Sequence, residues 1–249
     1  MKLSIIIPVL DSHEVFKRQC LHFERMGIPD DTEIIIVDDD SDPPLEYRGP
    51  LPLTIVPTHE PRPWTWALAR NKGARAAQGR VLLMFDLDHI VCRDLIDFVR
   101  GFDGEKVQFK REFAVLLEDG TFSQGVPDLV DYGWPIGRLE KKGLRIPPHP
   151  NMFAMRADIF RALGGYREDM VDRGYPQGED SDFKRRWHNS VVAGQWRVST
   201  HRPTIYTFPT GKLVGHDVDF DPKGLFHKLS RAVDSNHFFR RYKREGLVK

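Results

Sequence analysis

Short apolar runs alternate along the first hundred residues with segments whose apolar side chains recur at helical spacing. Runs of this kind are typical of strands buried on both faces of a parallel sheet. Helical spacing extends from Glu14 to Met26, and Gly27 ends it, while a second helix is predicted over Trp64–Ala77. The order of elements predicts an α/β fold with a mostly parallel central sheet flanked by helices. The predicted strands are Leu3–Val9, Glu33–Val37, Leu53–Val56 and Val81–Phe85.

The pattern weakens beyond the helix predicted at Arg93–Arg100. The stretch from Gly120 to Pro150 is rich in glycine, proline and charge and shows no periodicity, so we expect an irregular wall or lid over a site. The remaining predicted elements are strands within Val107–Leu117 and at Asn151–Met155, Trp196–Val198 and Thr204–Phe208, and helices at Arg156–Leu163 and Phe183–Val191.

The composition is that of an ordinary globular chain. Its 249 residues suffice for one large domain, and we expect residues 1–249 to form a single domain of Rossmann type. A formal net charge of +1 argues against a dedicated nucleic-acid-binding protein. The two cysteines, Cys20 and Cys92, cannot form a disulfide framework or supply a whole zinc site. We find no signal peptide or transmembrane segment, and so expect a cytoplasmic protein.

Two carboxylates, Asp86 and Asp88, follow the predicted strand Val81–Phe85 directly. Ligands of open α/β sheets bind beyond the carboxyl ends of such strands. In an extended chain, residues two apart share a face, so both carboxylates can offer oxygen ligands to Mg²⁺ or Mn²⁺ in one cleft. A solvated loop is the structural alternative, because aspartate is common after strands.

The C-terminal segment, residues 223–249, is basic and carries apolar side chains at roughly helical spacing. A helix that packs its apolar side on the domain and exposes a basic face explains this pattern. The alternatives are contact with an anionic acceptor, with a nucleotide diphosphate or with a membrane surface, which would make the protein a peripheral membrane protein.

Four segments carry a family resemblance. They are SIIIPVLDS at residues 4–12, EIIIVDDDS at 33–41, ARNKGARAAQGRVLLMFDLDH at 69–89 and GGYREDMVDRGYPQGEDSDF at 164–183. In this order they resemble the family 2 inverting glycosyltransferases with the GT-A fold, over about residues 3 to 190. The last segment is also similar to the chondroitin-synthase and galactosyltransferase branches of that fold, without the Trp-Gly that those branches tend to carry. The resemblance implies a donor half at residues 1–100 and an acceptor half at 101–222.

The resemblance implies a UDP-sugar site at the carboxyl ends of the strands. Asp38 would accept from the uracil ring, Pro8 and Asp11 would wall the nucleotide, and Arg70 would place a cation near the nucleotide or diphosphate. Structural roles are the alternatives: Arg70 pairs with a neighbouring acid, and the acids that follow Asp38 cap a turn.

The same resemblance implies a Mn²⁺ or Mg²⁺ ion between the diphosphate and the Asp86 and Asp88 carboxylates. Asp88 would be the more direct ligand, and Asp86 would bind both the ion and the nucleotide-sugar. A third protein ligand would come from a late histidine. His216 fits that place best and His201 is the second choice, although a lone histidine is more often surface or core than ligand.

On the acceptor side, we expect Asp180 to act as the base that removes the proton of the acceptor hydroxyl, with Glu179 orienting the acceptor or the metal site. One base in a direct displacement predicts inversion at the anomeric carbon. Asp182 has an equally plausible role as the cap of the following helix. Trp134 is the predicted acceptor-stacking residue, although core packing explains most tryptophans.

The sequence departs from the common family pattern at His89, where another acid is frequent, and at Asp40, where glycine is usual. His89 could therefore join the metal shell, and the turn at Asp40 could differ in its backbone.

Together these observations predict a metal-dependent inverting glycosyltransferase that moves a hexose or N-acetylhexosamine from a UDP-sugar to a hydroxyl acceptor. The acceptor is a polysaccharide or lipid-linked sugar, a protein, or a hydroxymethylated DNA base, the only form in which nucleic acid would be a partner. A non-catalytic, lectin-like nucleotide-sugar-binding module is the alternative. A nucleotidyltransferase is less consistent with the sequence, which has no glycine-rich phosphate loop after the first strand.

Overall fold

The structure is a computed structural model that describes residues 1–60, 65–132, 143–170, 178–196 and 203–208. The first half contains strands β1 to β5 and helices α1 to α3. In chain order these are β1 Leu3–Val9, α1 His13–Met26, β2 Thr32–Asp38, β3 Leu53–Pro57, α2 Trp66–Ala76, β4 Val81–Met84, β5 His89–Ile90 and α3 Arg93–Arg100.

The second half consists mainly of short elements. They are β6 Lys106–Gln108, β7 Lys110–Phe113, β8 Val115–Leu116, β9 Phe122–Ser123, α4 Val126–Asp131, β10 Arg145–Ile146, β11 Phe153–Arg156, α5 Ala157–Ala162, a 3-10 turn at Glu168–Met170, α6 Glu179–Val192 and β12 Thr204–Thr207.

The central sheet has six strands in the order β3-β2-β1-β4-β11-β6. The pairings β3 to β2, β2 to β1 and β1 to β4 are parallel, with Ile5 opposite both Ile34 and Leu83. Strand β11 is antiparallel to both of its neighbours, so it is the one reversed strand in the sheet. The prediction of an α/β fold with a mostly parallel sheet is therefore confirmed.

Helices cover both faces of this sheet. Ile5 and Ile7 of β1 lie in one apolar cluster with Phe16 and Phe23 of α1, whereas Ile6 lies in a second cluster with side chains of α2, α5 and α6. Alternate residues of a strand point to opposite faces, so an uninterrupted apolar run is required for burial on both sides. The central strands were predictable for this reason.

A second sheet has four short strands in the order β10-β7-β12-β5, so it joins β5 of the first half to three strands of the second. Its strand β5 begins at His89, directly after Asp88. The small sheet therefore borders the end of β4.

Two expectations about secondary structure need correction. Helix α6 begins at Glu179 rather than Phe183, because Gly178, at φ 104°, turns the chain into the helix and the dipole favours acids in its first turn. The stretch from Gly120 to Pro150 contains β9, α4 and β10, which are too short to show periodicity. Of the strand predicted at Trp196–Val198, only Trp196 belongs to the described residues; it stacks on Trp187, with ring centroids 5.8 Å apart.

Candidate functional site

Acidic side chains follow β1, β2 and β4 at a single edge of the sheet. Val9, near the end of β1, is in register with Asp38 at the end of β2, and β4 runs parallel to β1 on its other side. The carboxyl ends of these strands therefore bring Asp11, Asp38 and Asp86 to the same edge, where α/β proteins bind ligands.

The acids after β1 and β2 organise the loops that form this edge. The two carboxylate oxygens of Asp38 accept hydrogen bonds from the backbone N–H groups of Ser41 at 3.0 Å and Leu45 at 2.9 Å. Asp11 accepts from the N–H of Asp42 at 2.8 Å, and its own N–H donates to Ser41 Oγ at 3.0 Å. Asp38 is buried, and both of its hydrogen bonds hold the loop that follows β2. Its assignment to the nucleobase stays a prediction.

Asp39 is a buried acid that the sequence left without a binding role. Its Oδ1 accepts from Thr65 Oγ1 at 2.6 Å, which ties the end of β2 to the start of α2. Burial raises the pKa of Asp39 to about 6, with the nearby Asp38 and Asp40 adding to the rise, although the hydrogen bond from Thr65 opposes it.

Arg70 of α2 connects the acid that follows β4 to the first turn of α6. Its Nη2 lies 2.6 Å from Asp86 Oδ1, and its Nη1 lies 3.6 Å from Glu179 Oε1 in the first turn of α6. The guanidinium is 4% exposed and sits 5.5 Å from the centre of the Tyr166 ring. Arg70 thus pairs with neighbouring acids and holds two predicted site carboxylates around one cation.

The charges at this bridge alter one another's titration. Burial alone would raise the pKa of Asp86, but Arg70 and His149 outweigh it and hold that pKa well below its usual range. Burial opposes the charge on Arg70 also, but Asp86, Tyr166 and Glu179 raise its pKa above the ordinary value. Glu179 differs, because burial raises its pKa despite the nearby guanidinium. One acid of the bridge is therefore held ionised, while the other holds its proton more strongly.

Asp86, Asp88 and His89 form a group whose candidate ligand atoms all lie within 4.8 Å of one another. The Asp88 side chain is 43% exposed, whereas Asp86 is occupied by Arg70 and is 19% exposed. Carboxylate oxygens are suitable ligands for Mg²⁺ and Mn²⁺, so this group fits a divalent cation with Asp88 as its most accessible ligand.

Asp180 lies in the first turn of α6, beside Glu179. Its Oδ1 accepts from the N–H of Ser181 at 2.6 Å. Its charge contributes to the raised pKa values of Tyr166 and Glu179, which places it beside the Arg70 bridge. Asp182 instead pairs with Arg185 at 2.7 Å and Arg186 at 2.8 Å, and it thereby ties successive turns of α6 together.

Three residues near the site, His149, Asn71 and Tyr166, carried no assigned role in the sequence. His149 Nδ1 lies 3.3 Å from Asp86 Oδ2. Asn71 Oδ1 accepts from the N–H of Tyr166 at 2.9 Å, and Asn71 Nδ2 donates to the Tyr166 carbonyl at 2.8 Å. Asn71 thereby clamps the turn that presents the Tyr166 ring to Arg70. Asn71 follows Arg70 directly in one of the four segments that carry the family resemblance, so the sequence could have indicated it, but nothing in the local sequence pointed to His149.

Several predicted residues lie outside the described part of the chain. These are Trp134, His216, His201, Trp64 and the basic segment 223–249. In the described residues, no helix combines the length and apolar character needed to span a membrane.

Residues 4–111 match the model of the family described as Glycosyl transferase family 2. This stretch contains β1 to β4, the Arg70 helix and the Asp86 and Asp88 carboxylates. The family that the motifs predicted is therefore matched over residues 4–111, and the mixed α/β fold agrees with the GT-A fold expected for it. No curated protein matches the sequence.

Solved structures of glycosyltransferases share this fold. S. aureus TarS 1-349 in complex with UDP-GlcNAc has 15% sequence identity and a TM-score of 0.56, over 95% of this chain and 68% of that one. The same protein in complex with UDP has 16% identity and a TM-score of 0.54, over 100% and 76%. The mannosyltransferase PcManGT from Pyrobaculum calidifontis, in complex with GDP-Man and Mn²⁺, has 17% identity and a TM-score of 0.50, over 83% and 56%. At these identities the similarity establishes the fold alone.

Proposed function

We propose that the protein transfers a hexose or N-acetylhexosamine from a UDP-sugar to a hydroxyl acceptor, with a divalent metal ion and with inversion at the anomeric carbon. The observation that carries this proposal is the Arg70 bridge. It joins Asp86, at the predicted donor side, to Glu179, at the predicted acceptor side, through one buried guanidinium. Transfer requires the two substrates to meet, and this contact joins the two halves of the site.

On the donor side, Pro8, Asp11 and Asp38 form the nucleotide edge. Arg70 Nε is buried and has no hydrogen-bond partner among the described residues, and Nη1 has only its 3.6 Å ion pair with Glu179. Buried donors of this kind cost free energy when they stay unpaired, so a diphosphate or sugar oxygen is a suitable partner. Two UDP-bound forms of TarS share the fold and support the choice of donor.

Asp88 and Asp86 would hold the divalent cation, with His216 as the proposed third ligand. When bound, Mn²⁺ or Mg²⁺ supplies a positive charge that offsets the charge developing on the diphosphate as the glycosidic bond breaks. The exposure of Asp88 supports this role, because a ligand must be accessible to the ion. PcManGT, which shares the fold, was solved with Mn²⁺.

On the acceptor side, Asp180 takes the proton from the acceptor hydroxyl as that oxygen forms its bond to the anomeric carbon. The bond from the anomeric carbon to the diphosphate oxygen breaks on the opposite face, and UDP leaves with its electron pair. A single displacement of this kind inverts the anomeric centre. Glu179 orients the acceptor from the next position of the same helical turn, and Trp134 is proposed to stack on the acceptor.

The test is a donor panel of UDP-, GDP- and dTDP-sugars, assayed for nucleotide release with Mn²⁺, with Mg²⁺ and with a chelator. We expect release from a UDP-sugar with a metal ion and its loss with the chelator. Asp88→Ala should abolish it, whereas Asp97→Ala, a control whose side chain is 45% exposed against 43% for Asp88, should not. Activity that survives both the chelator and Asp88→Ala would exclude the metal-dependent reaction.

The same panel separates this proposal from a non-catalytic binding module. A binding module would bind UDP but release no nucleotide from any UDP-sugar. For the base, Asp158→Asn is the matched control for Asp180→Asn, because both aspartates lie in the first turn of a helix. We expect Asp180→Asn to bind UDP and to lose turnover, and Asp158→Asn to keep both.

A further inference from the structure

The backbone of Asp88, the proposed metal ligand, is held by two hydrogen bonds from the end of β12. Its carbonyl oxygen accepts from the N–H of Phe208 at 2.9 Å and from Thr207 Oγ1 at 3.0 Å. These contacts extend the pairing of β12 with β5, in which Thr207 is opposite His89. The backbone of Asp88 is thereby fixed, and the orientation of its carboxylate depends on side-chain contacts.

The His89 imidazole provides such a contact. Its Nδ1 lies 2.6 Å from Asp88 Oδ1, and the ring is buried, with 1% of the side chain exposed. On the other side of the ring, Nε2 lies 3.4 Å from Arg111 Nη1, and Arg111 Nε donates to the Pro147 carbonyl at 3.0 Å. The imidazole is therefore enclosed between a carboxylate and an anchored guanidinium.

These two neighbours assign the proton of the ring. A guanidinium has donors and no acceptor, so the ring nitrogen that faces Arg111 must accept and carries no proton. Nδ1 then carries the proton and donates it to Asp88 Oδ1. A metal ligand has to offer a free lone pair, but the Nε2 lone pair points to Arg111 and Nδ1 is protonated.

We infer that His89 is a positioning residue that orients the Asp88 carboxylate and does not itself bind the metal. Its proximity to Asp86 and Asp88 would also suit direct ligation, but ligation through Nδ1 would displace the contact with Asp88, and ligation through Nε2 would displace the contact with Arg111. Arg111 completes the arrangement by holding the ring in the donating tautomer. Partners that orient a metal ligand in this way commonly change metal affinity by 10- to 100-fold when they are removed. The inference rests on the metal-dependent donor site proposed above.

The test measures Mn²⁺ binding in the presence of UDP, by the paramagnetic resonance signal of free Mn²⁺, in the full-length protein and in two variants. His89→Ala removes the donor, and His89→Asn keeps an N–H donor close to the position of Nδ1. We expect His89→Ala to weaken Mn²⁺ binding by about 10- to 100-fold and His89→Asn to stay within about threefold of the wild type. Equal weakening in both variants would overturn the inference.

Electron spin echo envelope modulation of bound Mn²⁺ separates the two roles directly and does not depend on the folding of His89→Ala. Coordinated imidazole nitrogen gives a characteristic modulation. We expect the nitrogen modulation to be the same in the wild type and in His89→Asn, because any contribution comes from another histidine. Loss of that modulation in His89→Asn would identify His89 as a ligand. If the wild type binds no Mn²⁺ with UDP, the metal site itself is wrong, and the inference falls with it.

Discussion

Replacing Arg70 by methionine removes the cation that joins Asp86 to Glu179. The guanidinium is 4% exposed, and its partners are 19% and 9% exposed, so water screens these charges poorly. Two unit charges 4 Å apart interact by about 4 kcal/mol at an effective dielectric constant of 20. Removing one partner of a buried pair commonly costs ~3–5 kcal/mol, because the remaining charge stays buried without compensation. We expect a loss of that size in the free energy of unfolding.

Arg75→Met is the matched control, on the same helix. Arg75 is 58% exposed and pairs with Glu168, which is 39% exposed, so its loss should cost about 0–1 kcal/mol. Urea unfolding of both variants, followed by circular dichroism, measures the difference. The double variant Arg70→Met/Asp86→Asn should recover part of the stability, since it also removes the isolated carboxylate. Equal losses for Arg70→Met and Arg75→Met would show that the buried ion pair stabilises the protein no more than the exposed one.

Three further predictions concern stability. Gly165→Ala should destabilise the protein more than Gly164→Ala, as thermal unfolding of the two variants can measure. Both glycines have positive φ, but a Cβ at Gly165 would lie 2.5 Å from Asn71 Oδ1, whereas a Cβ at Gly164 would have no atom within 4 Å. Burial and repulsion by a nearby lysine lower the pKa of Lys106 to about 7, so stability should rise with pH from about 7 to 10.5, and Lys106→Met should remove this rise in urea titrations. Burial raises the pKa of Asp39 to about 6, so the free energy of unfolding should gain a contribution from its protonation as pH falls from about 6 to 3.8. This pH-dependent gain should be absent in Asp39→Asn.

Each of these three stability predictions has an outcome that would contradict it. A larger loss at Gly164 than at Gly165 would contradict the packing of the turn. For the lysine, Lys110→Met on an exposed position of the next strand is the comparison, and an unchanged pH slope in Lys106→Met would show that the buried amine keeps its proton. For the aspartate, a wild type and an Asp39→Asn variant with parallel pH profiles would contradict the raised pKa.

The sequence predicted the central strands within one or two residues, because burial on both faces demands an uninterrupted apolar run. The run at β4, Val81–Met84, is buried throughout, and its end locates the Asp86 and Asp88 carboxylates. The reversal of β11 could not be predicted, since an apolar run carries no information about strand direction.

The site was predictable as a set of acids but not as a network. Local spacing placed Asp86 after a strand and Glu179 before a helix, but it did not show that Arg70 lies between them. That contact depends on how α6 packs against the sheet, through Phe183 stacked on Phe153 and Tyr166. The His89 contact with Arg111 was hidden for the same reason, because it requires the register of the small sheet.

The proposed role of Asp180 as the base of a glycosyl transfer is tested by a single comparison of rates. The rate of UDP release from the preferred UDP-sugar, with Mn²⁺ and a hydroxyl acceptor, is compared between wild type and Asp180→Asn, alongside UDP affinity. General-base catalysis is worth about 10²- to 10⁴-fold, so we expect a rate loss in that range with unchanged UDP affinity. An Asp180→Asn variant that turns over at the wild-type rate would contradict it.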